Sequence, residues 1–230
     1  MLKKMGEAVA RVARKVNETV ETDSDTLDLA GCQLVSFPVA IYKVLRNVVR
    51  HIHFIDLSNN ELHSLTNKFM TTFSHLRELY LEGNALYKLP DEVSSLHLLK
   101  IINLSRNQFR DFPEKLTALP ALETINLEEN LIVDVPVEKL DAMPSLKCVN
   151  LRLNPLNAEH LQPWVPGRIW HAQFRAQAFC SIPLSRHKDV IFCLHTQEVL
   201  PVQREIPSLL TSENLAREAF GLKTDKKIVI

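Results

Sequence analysis

Residues 76–90 read LRELYLEGNALYKLP, and residues 99–113 read LKIINLSRNQFRDFP. Superposed, they align Leu76 with Leu99, Leu79 with Ile102, Leu81 with Leu104, Asn84 with Asn107, Leu86 with Phe109 and Pro90 with Pro113. Working outward, LETINLEENLIVDVP (122–136) repeats the pattern, and LKCVNLRLNPL (146–156) carries a partial unit. Upstream, IHFIDLSNNELHSL (52–65) fits without the proline, and LDLAGCQLVSFP (27–38) fits with its first position degenerate. Asn60, Asn84, Asn107, Asn130 and Asn154 stand 24, 23, 23 and 24 residues apart, with Cys32 in register before them. A period of this length marks a stacked repeat protein.

The composition follows the same division. Residues 27–156 hold 26 leucines in 130 positions, whereas residues 157–230 hold 8 in 74. Within each unit two apolar residues flank one outward residue, as in Leu79-Tyr80-Leu81. That alternation predicts a short strand, and strands from successive units stack in parallel into one curved sheet. The asparagine then turns the chain, and its buried amide needs backbone partners. After it, Pro90-Asp91-Glu92-Val93-Ser94-Ser95-Leu96 starts with proline and spaces its apolar residues helically, which predicts a short helical or 3₁₀ segment on the outer face. A bundle of amphipathic helices is the other candidate. It fails because Asn and Pro recur where a helix interior disfavours both.

These units resemble the leucine-rich-repeat family, whose ladder position accepts Asn or Cys. The resemblance covers residues 24–157, and similarity to one member of the family extends back to residue 1 and ends near Glu159. It implies an α/β solenoid with a parallel concave sheet, a helical or 3₁₀ convex side and a non-enzymatic role in protein binding. Cys32, Asn60, Asn84, Asn107, Asn130 and Asn154 are the expected structural ladder.

Both ends of such a stack need covering. Leu2, Met5, Val9, Val12, Val16 and Val20 recur at helical spacing, which predicts an N-terminal cap helix over residues 1–23. Lys3, Lys4, Arg11, Arg14 and Lys15 on the same helix offer a competing membrane-surface reading. A second helix is expected from Val39 to Val49, filling the longer first interval. Residues 158–230 carry Trp164, Trp170 and no extendable period, and read as a non-repeat tail, an alternative C-terminus expected to be in part capping and in part disordered. Within them, Val190–Leu194 is strand-like and residues 212–220 suit a short helix between Ser212 and Gly221.

The outward strand residues should form the recognition surface. The pattern selects Phe54, Glu78, Tyr80, Glu82, Ile101, Asn103, Arg106, Asn126 and Glu128, apolar groups set beside carboxylates and amides. The formal net charge of zero is a cancellation. Residues 76–150 hold 12 Asp+Glu against 8 Lys+Arg, a net of −4, offset by positive ends. This favours a basic or mixed-charge protein segment over nucleic acid.

Other chemistry finds little support. The five glycines, at 6, 31, 83, 167 and 221, build no phosphate-binding loop and no strained nucleophile turn. His51, His53 and His63, and likewise Cys180, His187, Cys193 and His195, lack zinc-type spacing, so no metal or cofactor is expected. Activation of a small GTPase, or regulation of a phosphatase, remains the enzyme-linked alternative. The longest strongly apolar run, Val190–Leu194, is too short to cross a bilayer, and residues 1–15 do not read as a secretion signal. The four cysteines form no paired spacing, which suits reduced thiols in a cytoplasmic or nuclear monomer. The acceptor patterns at Asn17 and Asn103 therefore carry no weight.

Overall fold

A computed structural model describes residues 2–157 and 191–193. Seven parallel strands form one sheet in strict chain order: β1 (Thr26–Asp28), β2 (Phe54–Asp56), β3 (Glu78–Tyr80), β4 (Ile101–Asn103), β5 (Thr124–Asn126), β6 (Cys148–Asn150) and β7 (Ile191–Cys193). The register is that of the repeat, with Thr26, Phe54, Glu78, Ile101, Thr124, Cys148 and Ile191 side by side. This is a leucine-rich-repeat solenoid.

The inward residues carry the energetics. Leu27, Ile55, Leu79, Ile102, Ile125 and Val149 are fully buried and stack into one column. Complete burial of such a side chain contributes about 1.5–3 kcal/mol, and no unit could bury its own alone. On the outer side stand α2 (Val39–Val44), α3 (Asn67–Thr72), 3₁₀ turns over Asp91–Ser95 and Glu114–Ala118, and α4 (Val137–Asp141). Pro38, Pro90, Pro113 and Pro136 each immediately precede one of these segments. The unit without proline uses Thr66 instead, whose side chain accepts from Phe69 N. The helix expected to Val49 stops at Val44 and tightens into a 3₁₀ turn over Leu45–Asn47. Leu45, the first residue of that turn, is fully buried and belongs to the hydrophobic core. Phe37, Phe69 and Phe73 pack here with ring centroids 5.0–5.9 Å apart, filling the longer interval.

Helix α1 (Leu2–Glu21) lies against the first unit. Val16 is buried and Val12 and Val20 pack on the core. The buried Thr19 hydroxyl lies within hydrogen-bonding reach of Lys15 O and Thr26 O. Two of the basic residues are occupied in this docking: Lys15 pairs with Asp28 at 3.0 Å, and Arg11 donates to Gly31 O at 3.2 Å.

The strand-like segment at Val190–Leu194 supplies β7, which continues the sheet instead of starting a separate one. Cys148, in register with half-buried Thr124 on the outward face, is buried at 8% exposure. The sheet continues beside it, so it is not the edge the repeat count implies. The proposed helix at 212–220 lies outside the described residues, as do Trp164 and Trp170.

Candidate functional site

Because the strands are in register, the outward residues form columns across the sheet. Phe54, Asp56, Glu78, Tyr80, Ile101, Asn103, Thr124 and Asn126 are all half-buried, and Asp56, Tyr80, Asn103 and Asn126 each stand between two buried neighbours. The central column has a local task that the repeat pattern alone does not announce. Asp28, Asp56, Asn103, Asn126 and Asn150 each accept a hydrogen bond from the backbone N–H two residues on, at 2.8–3.2 Å. Such Asx turns bend the chain off the strand. Asn103 and Asn126, selected as recognition residues, therefore use their carbonyl oxygens to shape the turn. The Asx identity of the whole column was the available signal. Tyr80 alone interrupts it.

The next layer is a polar lattice. Arg106 Nη2 donates to Glu82 Oε1 and lies 3.4 Å from Asn59 Oδ1. The other oxygen of Glu82 accepts from Asn103 Nδ2 at 3.0 Å. Asn150 Nδ2 donates to Glu128 Oε2 at 2.9 Å. Arg106, Glu82, Asn103 and Glu128 are thus tied across units rather than standing alone, although Arg106 remains half exposed.

Beside this lattice lies a different region. Tyr80 OH donates to Glu78 Oε2 at 2.5 Å. Burial, that hydrogen bond and the charges of Glu78 and Asp56 push the phenol up to about 12. Among the described residues no Lys, Arg or His pairs with Asp56 or Glu78. By contrast, Asp28 is partnered. Its partial burial opposes ionisation, but the Ala30 N–H and Lys15 outweigh it and hold the carboxyl below its ordinary range. Phe54, Asp56, Glu78, Tyr80 and Ile101 together make an amphipathic surface with surplus negative charge.

The ladder behaves as its spacing predicts, with more connectivity than one bond per unit. Asn107 Oδ1 accepts from Leu86 N, while its Nδ2 faces Leu81 O, Leu104 O and Ser105 O at 2.9–3.1 Å. Asn60, Asn84, Asn130 and Asn154 repeat this arrangement. The carbonyls between ladder asparagines are shared: Leu81 O faces Asn84 and Asn107, and Leu104 O faces Asn107 and Asn130. Cys32 closes the row with a weaker contact from Sγ to Ala30 O at 3.6 Å. Burial raises the Cys32 thiol above its ordinary range despite nearby Lys15 and Arg11.

A further column carries a backbone requirement that the repeat pattern does not disclose. Gly31, Asn59, Gly83, Arg106, Glu129 and Leu153, each just before a ladder residue, have φ of 53–66°. Two glycines and an asparagine hint at this left-handed requirement, while Arg106, Glu129 and Leu153 conceal it.

His51 Nδ1 meets Asp23 Oδ1 at 2.8 Å, and His53 Nδ1 meets His75 O at 3.0 Å. Among the described residues no group of three or more His, Cys, Asp or Glu is placed to hold a metal ion. Cys180, His187 and His195 lie outside the described residues. Among those described, no helix is long and apolar enough to cross a membrane.

Comparison with known proteins agrees with this architecture. A leucine-rich-repeat family model matches residues 50–109. The chain is 79% identical over 159 residues to human leucine-rich repeat-containing protein 20, covering 69% of this chain and 86% of that one. The mouse counterpart is 76% identical over the same length and the same shares. Similar solved structures include a leucine-rich-repeat protein of Leptospira interrogans (24% identity, TM-score 0.46, covering 56% of this chain and 37% of that one). An internalin of Listeria monocytogenes is also similar (16% identity, TM-score 0.44, 59% and 36%). The chain belongs to the leucine-rich-repeat family, whose domains generally mediate protein–protein interaction.

Proposed function

We propose that the chain is a non-enzymatic interaction module that binds a protein partner on the sheet face of units two to four, acting in the cytoplasm or nucleus. The observation that carries the reading is the pairing pattern of the carboxylates. Glu82 is balanced by Arg106 and Asp28 by Lys15, whereas Asp56 and Glu78 flank Tyr80 without a cation. Phe54 and Ile101 lie on either side, in register with Glu78.

A segment bearing Arg or Lys suits this surface. Its cation meets Asp56 and Glu78, its aliphatic stem covers Phe54 and Ile101, and the Tyr80 ring adds a cation–π face. Arg106 contributes by holding Glu82 and spanning units two to four, so its role is to position the surface as much as to touch a partner. Tyr80→Ala should remove most partner capture in a pulldown from cell extract while leaving the melting temperature nearly unchanged. Retention of the full partner set by that variant would contradict the assignment.

A further inference from the structure

The edge at which the chain enters the sheet carries the opposite charge to the sheet face beside it. His53 N donates to Asp25 O, Arg77 N to His53 O, Lys100 N to Arg77 O, Glu123 N to Lys100 O and Lys147 N to Glu123 O, all at 2.7–2.8 Å. The backbone ladder thus runs one residue beyond the strands and sets these residues in a row, about 4.8 Å apart. Through units two to four the row reads His53, Arg77 and Lys100, with Arg77 and Lys100 exposed. Among the described residues no carboxylate pairs with Arg77. Glu123 is shared by Lys100, at 3.7 Å, and Lys147, so one carboxylate answers two cations. Surplus positive charge therefore stands on the same units whose sheet face holds Asp56 and Glu78 without a cation.

The spacing between the two charges is fixed by the strands. Glu78 directly follows Arg77, and Tyr80, in register with Asp56, lies two residues further on. At about 3.3 Å per residue, a cation seated between Asp56 and Glu78 stands about 7 Å from the row of Arg77 and Lys100. An extended peptide laid along the strands rises by the same amount and repeats its side-chain direction every second residue. A carboxylate two positions from the peptide's cation therefore reaches Arg77 and Lys100 while both groups face the solenoid. One placed next to the cation points away. Arg77 offers a carboxylate paired, charge-assisted N–H donors.

We infer that the partner segment is of mixed charge, with a cation over Asp56 and Glu78 and, two residues away, a carboxylate on Arg77 and Lys100. The inference rests on the sheet-face reading above and names the partner more closely. Labelled, end-blocked serine peptides test it against the full chain by fluorescence anisotropy. One carries a single Arg, two carry a Glu two residues before or after that Arg, and a fourth carries the Glu beside it. On an acidic face alone an added Glu weakens binding, so a gain is diagnostic. One of the two spaced peptides should bind several-fold more tightly than the Arg-only peptide, and the adjacent-Glu peptide should bind no more tightly. Arg77→Gln combined with Lys100→Gln should erase the advantage, while the Arg-only peptide binds somewhat better for the loss of nearby cations. Arg77→Glu should turn the advantage into a penalty. Arg110→Gln, an exposed arginine three residues past the ladder, should change nothing. Arg-only binding that depends on Tyr80, with no gain from either spaced Glu or with a gain that survives the double variant, would overturn this inference alone. Absence of binding by all four peptides would overturn the sheet-face reading and this inference together.

Discussion

At the scale of single residues, the ladder asparagines and the left-handed column set the limits on substitution. In Asn107→Ala, Leu81 O and Leu104 O keep the amides of Asn84 and Asn130, but the N–H of fully buried Leu86 loses its acceptor. One orphaned buried donor costs about 1–3 kcal/mol, and chemical denaturation should register a loss of that size. The two repeat glycines separate backbone strain from crowding. Gly31→Ala at φ +62° meets nothing within 4 Å, so it should cost about 1 kcal/mol from the left-handed backbone alone. Gly83→Ala shares that conformation, and its Cβ would stand 2.7 Å from Asn59 Oδ1, which also faces Arg106. It should destabilise more than Gly31→Ala. Equal denaturation midpoints for the two variants would contradict this account.

The residue scale is also where the sequence was most and least legible. Asn at fixed intervals has one physical explanation, so the ladder could be read outright. The central Asx column was visible but ambiguous, because an outward Asn serves equally as turn former, solvated group or contact. The positive-φ column was hidden, since backbone conformation leaves no mark on the identity of Arg106, Glu129 or Leu153.

At the scale of elements, the ends differ from the repeats. Helix α1 is held by burial of one face and by the Lys15–Asp28 and Arg11–Gly31 contacts. Val16→Asp puts a carboxylate where 3% of the side chain is exposed, and should cost about 2–4 kcal/mol or release the helix. Val9→Asp, at 68% exposure, should stay within about 0.5 kcal/mol. Hydrogen exchange across residues 2–21 distinguishes the two, and equal protection would contradict the docked-cap reading. The cap was legible because helical periodicity is local. The position of β7 was not: 33 aperiodic residues (158–190) separate it from Asn157, and only tertiary pairing identifies its neighbour.

At the scale of the whole molecule, a neutral chain presents a locally unbalanced surface. The sheet orders its outward residues with little freedom, because a slip of one residue would send the buried column to solvent. The polar lattice around Glu82 and Arg106 then consumes part of the charge, and Asp56 and Glu78 keep theirs. Cationic side chains on a protein partner are the complement this arrangement calls for, and the interaction should weaken with salt because the site is partly exposed.

An array of peptides graded from acidic to basic, probed with the native full chain and with the double variant Asp56→Lys, Glu78→Lys, tests that claim most directly. The native chain should select Arg- and Lys-bearing peptides, and the double variant should lose them and shift toward acidic ones. The same peptides retained by both proteins would contradict it.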